Sequence, residues 1–142
     1  MSQSNLLLDT HVILWFVAGH ERLSLKAQNA INDARKSKTL YVSGASLWEI
    51  GCLQAKGKID IGPDLPSFWL DVQRVLKFKE LLFGRAVIFE FFKLDGMHND
   101  PCDRFITATA IKEELTLVTA DGKILEWAAA HPNRVSTLDA RS

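Results

Sequence analysis

Short apolar runs alternating with helix-length segments constrain this chain more than any other feature. Asn5-Leu-Leu-Leu-Asp9 is an unbroken apolar triplet, without the polar alternation of a half-exposed strand, and so reads as a strand buried on both faces. Further strands are expected at Leu40–Ser43, near Leu81, at Thr116–Thr119 and at Arg134–Leu138. Helices are expected between them: Val12–Ala18, Leu25–Lys36 with Ser24 as N-cap, and Ser46–Lys56 ending at Gly57. Others follow at Ser67 (as cap) to Lys77, Arg85–Lys93, Asp100-Pro101 to Glu114, and Gly122–Ala130. The apolar residues from Phe78 to Asp95 fit either period, so that stretch is the least determined. Strands separated by helices predict an α/β protein with a parallel sheet covered on both faces. In such sheets ligands bind at the carboxyl ends of the strands, where the strand order reverses. With no internal repeat, low-complexity tract or long linker, residues 1–142 read as one domain.

Composition narrows the function classes. The longest early apolar stretch, Leu6 to Val17, is broken by Asp9, Thr10 and His11, too short and polar for a signal peptide or membrane span. Two cysteines, Cys52 and Cys102, lie in apolar helical patterns and support no disulfide framework, so a cytoplasmic protein is expected. Net charge is zero, from 17 basic and 17 acidic side chains, which argues at first against a nucleic-acid partner. If four acids are gathered around metal, 17 basic side chains face 13 acidic ones over the remaining surface, and polyanion binding is permitted.

Four acids stand apart. Asp9 sits at the carboxyl end of a buried strand, although it or Thr10 could equally cap the following helix. Glu49 is the only charged residue from Val42 to Leu53, and a carboxylate so placed is costly to bury unpaired. Its bland alternative is a narrow wet strip shared with Lys56. In Asn99-Asp-Pro-Cys-Asp-Arg104, Asp100 is a natural N-cap and Pro101 suits the first helical position, while Asp103 falls off the main apolar stripe. Asp121 ends a strand in an Asp-Gly pair, which alone reads as a turn.

Together the four weigh more than they do singly. Parallel strands present their carboxyl ends on one edge, so these groups can converge. Four unpaired carboxylates in one pocket would raise one another's pKa. Hard divalent cations, Mg²⁺ or Mn²⁺, resolve that conflict, and phosphodiester hydrolysis is the chemistry such a site serves. His11, His20, His98 and His131 form no ligand pattern and read as surface or loop histidines. No nucleophile elbow, P-loop or dinucleotide fingerprint occurs. Phe89, Phe91 and Phe92 read as core or subunit interface, and Lys56, Lys58 and Arg104 as candidate phosphate contacts.

Leu7-Leu-Asp-Thr-His11, Ser46-Leu-Trp-Glu-Ile50, Asp100-Pro-Cys-Asp-Arg104 and Leu117-Val-Thr-Ala-Asp121 occur in the order and approximate spacing of PIN-domain proteins. The chain most resembles the VapC-type toxins of type II toxin–antitoxin systems, over nearly its whole length. The resemblance implies an α/β/α sandwich and an endoribonuclease dependent on Mg²⁺ or Mn²⁺. It also implies a homodimer held inactive by a cognate antitoxin that inserts a segment near the active site. Carried over by position, Asp9, Glu49, Asp103 and Asp121 are the acidic metal-binding and catalytic set. Glu49 either binds metal or orients water, and Thr10 and Thr119 are supporting hydroxyls. Cys102 stands where the family often has Phe or Ala, and the Phe-rich stretch from Leu82 to Met97 departs from the usual pattern. Competing expectations are a DNA nuclease of the same architecture, a receiver-like Mg²⁺-binding signalling module, and an inactive regulatory subunit. The receiver reading lacks its lysine after a late strand.

Overall fold

The computed structural model of the chain describes residues 5–82 and 84–142. Elements run β1 (Leu6–Leu8), α1 (Thr10–Ala18), α2 (Leu25–Ser37), β2 (Leu40–Ser43), α3 (Gly44–Ala55), α4 (Leu65–Leu76), β3 (Lys79–Leu81), α5 (Arg85–Phe91), α6 (Pro101–Glu113), β4 (Thr116–Thr119), α7 (Gly122–Ala130) and β5 (Ser136–Asp139). The strands form one sheet in the order β3-β2-β1-β4-β5, every pairing parallel. Strand order reverses between β1 and β4, because β2 and β3 extend the sheet from one side of β1 and β4 and β5 from the other. The carboxyl edge at that reversal is where a ligand is expected.

The period-2 geometry of β1 divides the core. Leu6 and Leu8 pack with Val12, Ile13, Ala27, Ile31, Trp69, Val72 and Leu76, from α1, α2 and α4. Leu7 points the other way, with Leu117, to meet Val87, Ile106, Ile124 and Trp127, from α5, α6 and α7. All three leucines are at most 2% exposed, as an unbroken apolar triplet with helices on both sides requires. This is the α/β/α sandwich read from the sequence.

Several boundaries differ from expectation, each for a local reason. α1 starts at Thr10, capped by Asp9, rather than at Val12. α3 starts at Gly44, because the Ser43 side chain accepts from Ala45 N and does the capping that would have been needed nearer Ser46. α4 is capped by Asp64, not Ser67; the Asp64 carboxylate accepts from Ser67 N, and Pro66 lies in the first turn. α5 stops at Phe91, short of Lys93, and β5 begins at Ser136 rather than Arg134. Among the described residues, no helix is long and apolar enough to cross a membrane.

Candidate active site

Register brings the first acid to the reversal. Leu8 pairs with Val42 on one side and Val118 on the other, so the next residues, Asp9, Ser43 and Thr119, stand level along the carboxyl edge. Asp9 is 4% exposed, and both its oxygens are held. Oδ1 accepts from Thr10 N at 2.8 Å and Oδ2 from the Thr119 hydroxyl at 2.7 Å. The Thr119 oxygen in turn accepts from Asp121 N at 3.0 Å, which leaves its one hydrogen for Asp9. Thr10 donates its own hydroxyl to Ser46 Oγ at 3.0 Å and so ties α1 to α3. Capping and clustering are therefore the same placement: Asp9 does both. Burial pushes the Asp9 carboxyl up, the hydrogen bonds from Thr119 and Thr10 hold it down, and the Glu49 charge adds to the rise.

Glu49 lies on the second turn of α3, half-buried, within electrostatic reach of Asp9 and of the Cys102 thiol. That thiol is pushed up to about 12, by burial first and then by Glu49, Asp100 and Asp103, and its Sγ lies 3.6 Å from the Ala45 carbonyl oxygen. A thiol so placed is a packing group rather than a nucleophile.

Asp103 opens α6 in the turn capped by Asp100, whose Oδ1 accepts from Asp103 N at 3.0 Å. Its carboxyl is raised to about 7 by burial above all. The hydrogen bond with His98 opposes the rise, and the charges of Asp9, Asp100 and Asp121 add to it. Asp121 caps α7 through Oδ1, which accepts from Lys123 N at 2.8 Å and Ile124 N at 3.2 Å. The turn reading and the cluster reading of Asp121 are again compatible.

His98, Asp103 and Asp121 each offer a ligand atom, and these atoms all lie within 4.8 Å of one another. They border an open cleft of about 540 Å³ with Asp100, Gly122, Lys123 and Glu126. Asp9 and Glu49 flank this trio electrostatically, Asp9 acting on Asp103 and Glu49 on Asp9. The hard carboxylate oxygens fit a divalent cation, with the His98 imidazole beside them.

One expectation is corrected: His98 is not a bystander. Its Nε2 lies 2.7 Å from Asp103 Oδ2. The available signal was its position, two residues before the Asp100 cap, on the loop that delivers Asp103. Two other histidines fit the surface-or-loop expectation. His20 stacks on Trp15, and His131 stacks on Trp127 with Nδ1 2.8 Å from the Trp127 carbonyl. His11 is exposed and its charge slightly favours ionised Asp9. Among the expected phosphate contacts, Lys56 and Lys58 are exposed at the end of α3 opposite Ser43. Arg104 instead donates to the Leu94 carbonyl at 3.1 and 3.3 Å and lies 5.2 Å from the centre of the Phe91 ring.

The sequence model of a family described as PIN domain matches residues 6–130. The chain is 31% identical over 137 residues to Ribonuclease VapC22 of Mycobacterium tuberculosis, covering 94% of this chain and 98% of that protein. Solved structures share the fold at lower identity. VapBC2 from Rickettsia felis, bound to a DNA fragment from its promoter, superposes with a TM-score of 0.68 at 18% identity, covering 94% of this chain and 97% of that one. A toxin–antitoxin complex from Klebsiella pneumoniae gives 0.65 at 15% identity, over 96% and 98%. FitAcB from Neisseria gonorrhoeae gives 0.64 at 16% identity, over 95% and 97%.

Proposed function

The chain belongs to the PIN domain family and is of the VapC type, and from that premise we propose that it is a metal-dependent endoribonuclease, a toxin neutralised by a cognate antitoxin. The observation that supports the chemistry is the gathering of Asp103 and Asp121 on one cleft, with Asp9, at the reversal of strand order, within electrostatic reach of Asp103 and Glu49 within reach of Asp9.

In this reading Asp9, Asp103 and Asp121 hold Mg²⁺ or Mn²⁺ directly or through water, and Glu49 either joins them or orients the attacking water. A cation bound there activates water, neutralises phosphate oxygens and stabilises the leaving oxygen. The chain's own share is preorganisation. Thr119 fixes Asp9 Oδ2, Thr10 fixes the approach of α1 to α3, and the two N–H groups at the start of α7 fix Asp121. Because the cleft is open, looped or single-stranded RNA can lay its backbone against the acids. Lys123, lining that cleft, is a further candidate for a phosphate contact alongside Lys56 and Lys58. In this reading the protein acts on cellular RNA in the cytoplasm.

The reading includes a homodimer. Trp48, Phe89 and Phe92 are 63%, 58% and 75% exposed. Trp48 borders an apolar hollow with Ala45, Pro101, Cys102 and Phe105, and α5 adjoins it where Phe91 packs on Phe105. Exposed aromatic side chains in that number support a subunit contact.

The test is cleavage of labelled RNA and matched DNA by antitoxin-free protein with Mn²⁺, with chelator, and with Asp9→Asn alongside. Cutting of RNA alone, dependent on metal and lost in the variant, is the expected result. Preferential cutting of DNA would replace the substrate assignment, and neither cutting nor metal binding would remove the nuclease reading.

A further inference from the structure

His98 belongs to the carboxylate cluster yet has no task in the proposed chemistry. It lies between α5 and α6, and its side chain is 19% exposed against 13% for Asp103. Nε2 is 2.7 Å from Asp103 Oδ2, while the other ring nitrogen, Nδ1, is buried with no hydrogen-bond partner among the described residues. A carboxylate that holds a cation is ionised and can only accept, so in that state Nε2 is the donor. The opposite tautomer would set two acceptors against each other and bury an unmet N–H at Nδ1. The geometry therefore selects the ring with its hydrogen on Nε2, aimed at Asp103.

The other strand-end and helix-start acids show what this contact supplies. Asp9 is oriented by Thr10 N and the Thr119 hydroxyl, and Asp121 by Lys123 N and Ile124 N. For Asp103 the main chain is fixed by the Asp100 cap, but among the described residues its carboxylate has one side-chain hydrogen bond, from His98. Without it the carboxylate is free to rotate on the rim of an open cleft.

We propose that His98 is a positioning residue for the metal centre: by donating Nε2–H to Asp103 Oδ2, it holds that carboxylate in one orientation and leaves Oδ1 for the cation shared with Asp121. The inference rests on the metal-dependent reading above. His98 is not itself a metal ligand here, because the nitrogen facing the cluster carries the hydrogen that Asp103 accepts. Imidazole and carboxylate thus form the kind of outer contact that typically multiplies metal affinity about 10- to 100-fold.

The test is Mn²⁺ binding by calorimetry to the wild type and to His98→Leu, His98→Asn and His98→Gln, with metal-free melts to confirm folding. Gln carries its amide N–H as far from Cβ as Nε2 lies, whereas Asn is one bond short. Positioning predicts a Kd weakened about 10- to 100-fold in the Leu and Asn variants and rescued to within about threefold by Gln. Mn²⁺ magnetic resonance should show no directly bound nitrogen in the wild type. Wild-type affinity in both the Leu and Asn variants would overturn the inference while leaving the metal site standing. A bound-nitrogen signal that vanishes in His98→Leu would overturn it by making His98 a ligand. Absence of Mn²⁺ binding by the wild type would bring down the metal-dependent reading and this inference with it. If His98→Leu does not fold, the contrast between Asn and Gln decides alone.

Discussion

Replacing Asp103 by Asn removes one charge from the cluster while keeping the shape and an oxygen that can accept from His98. The carboxyl moves from 3.8 to about 7 on folding, chiefly because it is buried. A shift of that size corresponds to about 4 kcal/mol of penalty on the ionised form. The sign follows from which state holds the proton more tightly. The folded chain does, so stability is full below the unfolded value near 4, erodes as pH rises toward 7, and is level above it. Between pH 5 and pH 8 the wild type thus loses roughly two-thirds of the penalty, about 3 kcal/mol before screening. Water in the open cleft screens the charge, and halving the figure leaves about 1 to 2 kcal/mol, on the order of 5 °C in a chain of this size. Thermal unfolding in chelator at both pH values tests this. Asp103→Asn should melt higher than the wild type at pH 8, and the gap should narrow at pH 5. Adding Mn²⁺ at pH 8 should stabilise the wild type and leave the variant nearly unmoved. A variant that melts below the wild type at pH 8 in chelator would refute the claim that burial and neighbouring acids strain this carboxyl.

Thr119→Val removes the hydroxyl that holds Asp9 Oδ2 and accepts from Asp121 N, so both Mn²⁺ affinity and fold stability should fall, the latter by about 1–2 kcal/mol in urea unfolding; unchanged metal binding would dismiss Thr119 as a support. Thr107 is fully buried and its hydroxyl has no partner among the described residues, so Thr107→Val should be neutral or stabilising by up to about 1 kcal/mol, and a clear loss would mean that the hydroxyl is satisfied. Cys102, with its thiol pushed up to about 12, should resist an aromatic disulfide reagent at pH 8 in the folded protein and react only on unfolding; prompt labelling at Cys102 would contradict its burial.

What the sequence made legible about the fold follows from how locally each signal is encoded. β1, β2 and β4 were readable because burial on both faces demands apolar runs, and Leu6–Leu8 carries its reason in three letters. Helix starts were misplaced where a cap lay outside the apolar pattern, as at Ser43 and Asp64, whose competence shows only once the backbone ahead of the helix is known to be extended. Helix ends fell closer: α2, α4 and α6 end at Ser37, Leu76 and Glu113, each within one residue of the expected end, although the caps Lys38, Lys77 and Glu114 take positive φ with no glycine to announce it. At these exposed caps the left-handed backbone lets the cap N–H reach carbonyls of the last turn, Ala34 and Arg35, Gln73, and Ala110 and Ile111.

The site divides along the same line. Asp9 and Asp121 each had a cap or turn reading of their own and stood out only together, as acids at or just past the ends of buried strands that parallel register sets on one edge. Glu49 could be found because its surroundings are apolar. His98 offered no such contrast: it sits among Met97, Asn99 and Asp100, where a loop histidine is unexceptional. Its meaning depends on the direction of one ring nitrogen and the burial of the other, both set by how the loop after α5 returns to α6. Residues that supply charge can be recognised by the company they keep along the chain. Thr119, which aims Asp9, shares a motif with Asp121 and could be named from the chain, whereas the donor facing Asp103 lies on a loop outside any motif and had to come from the structure.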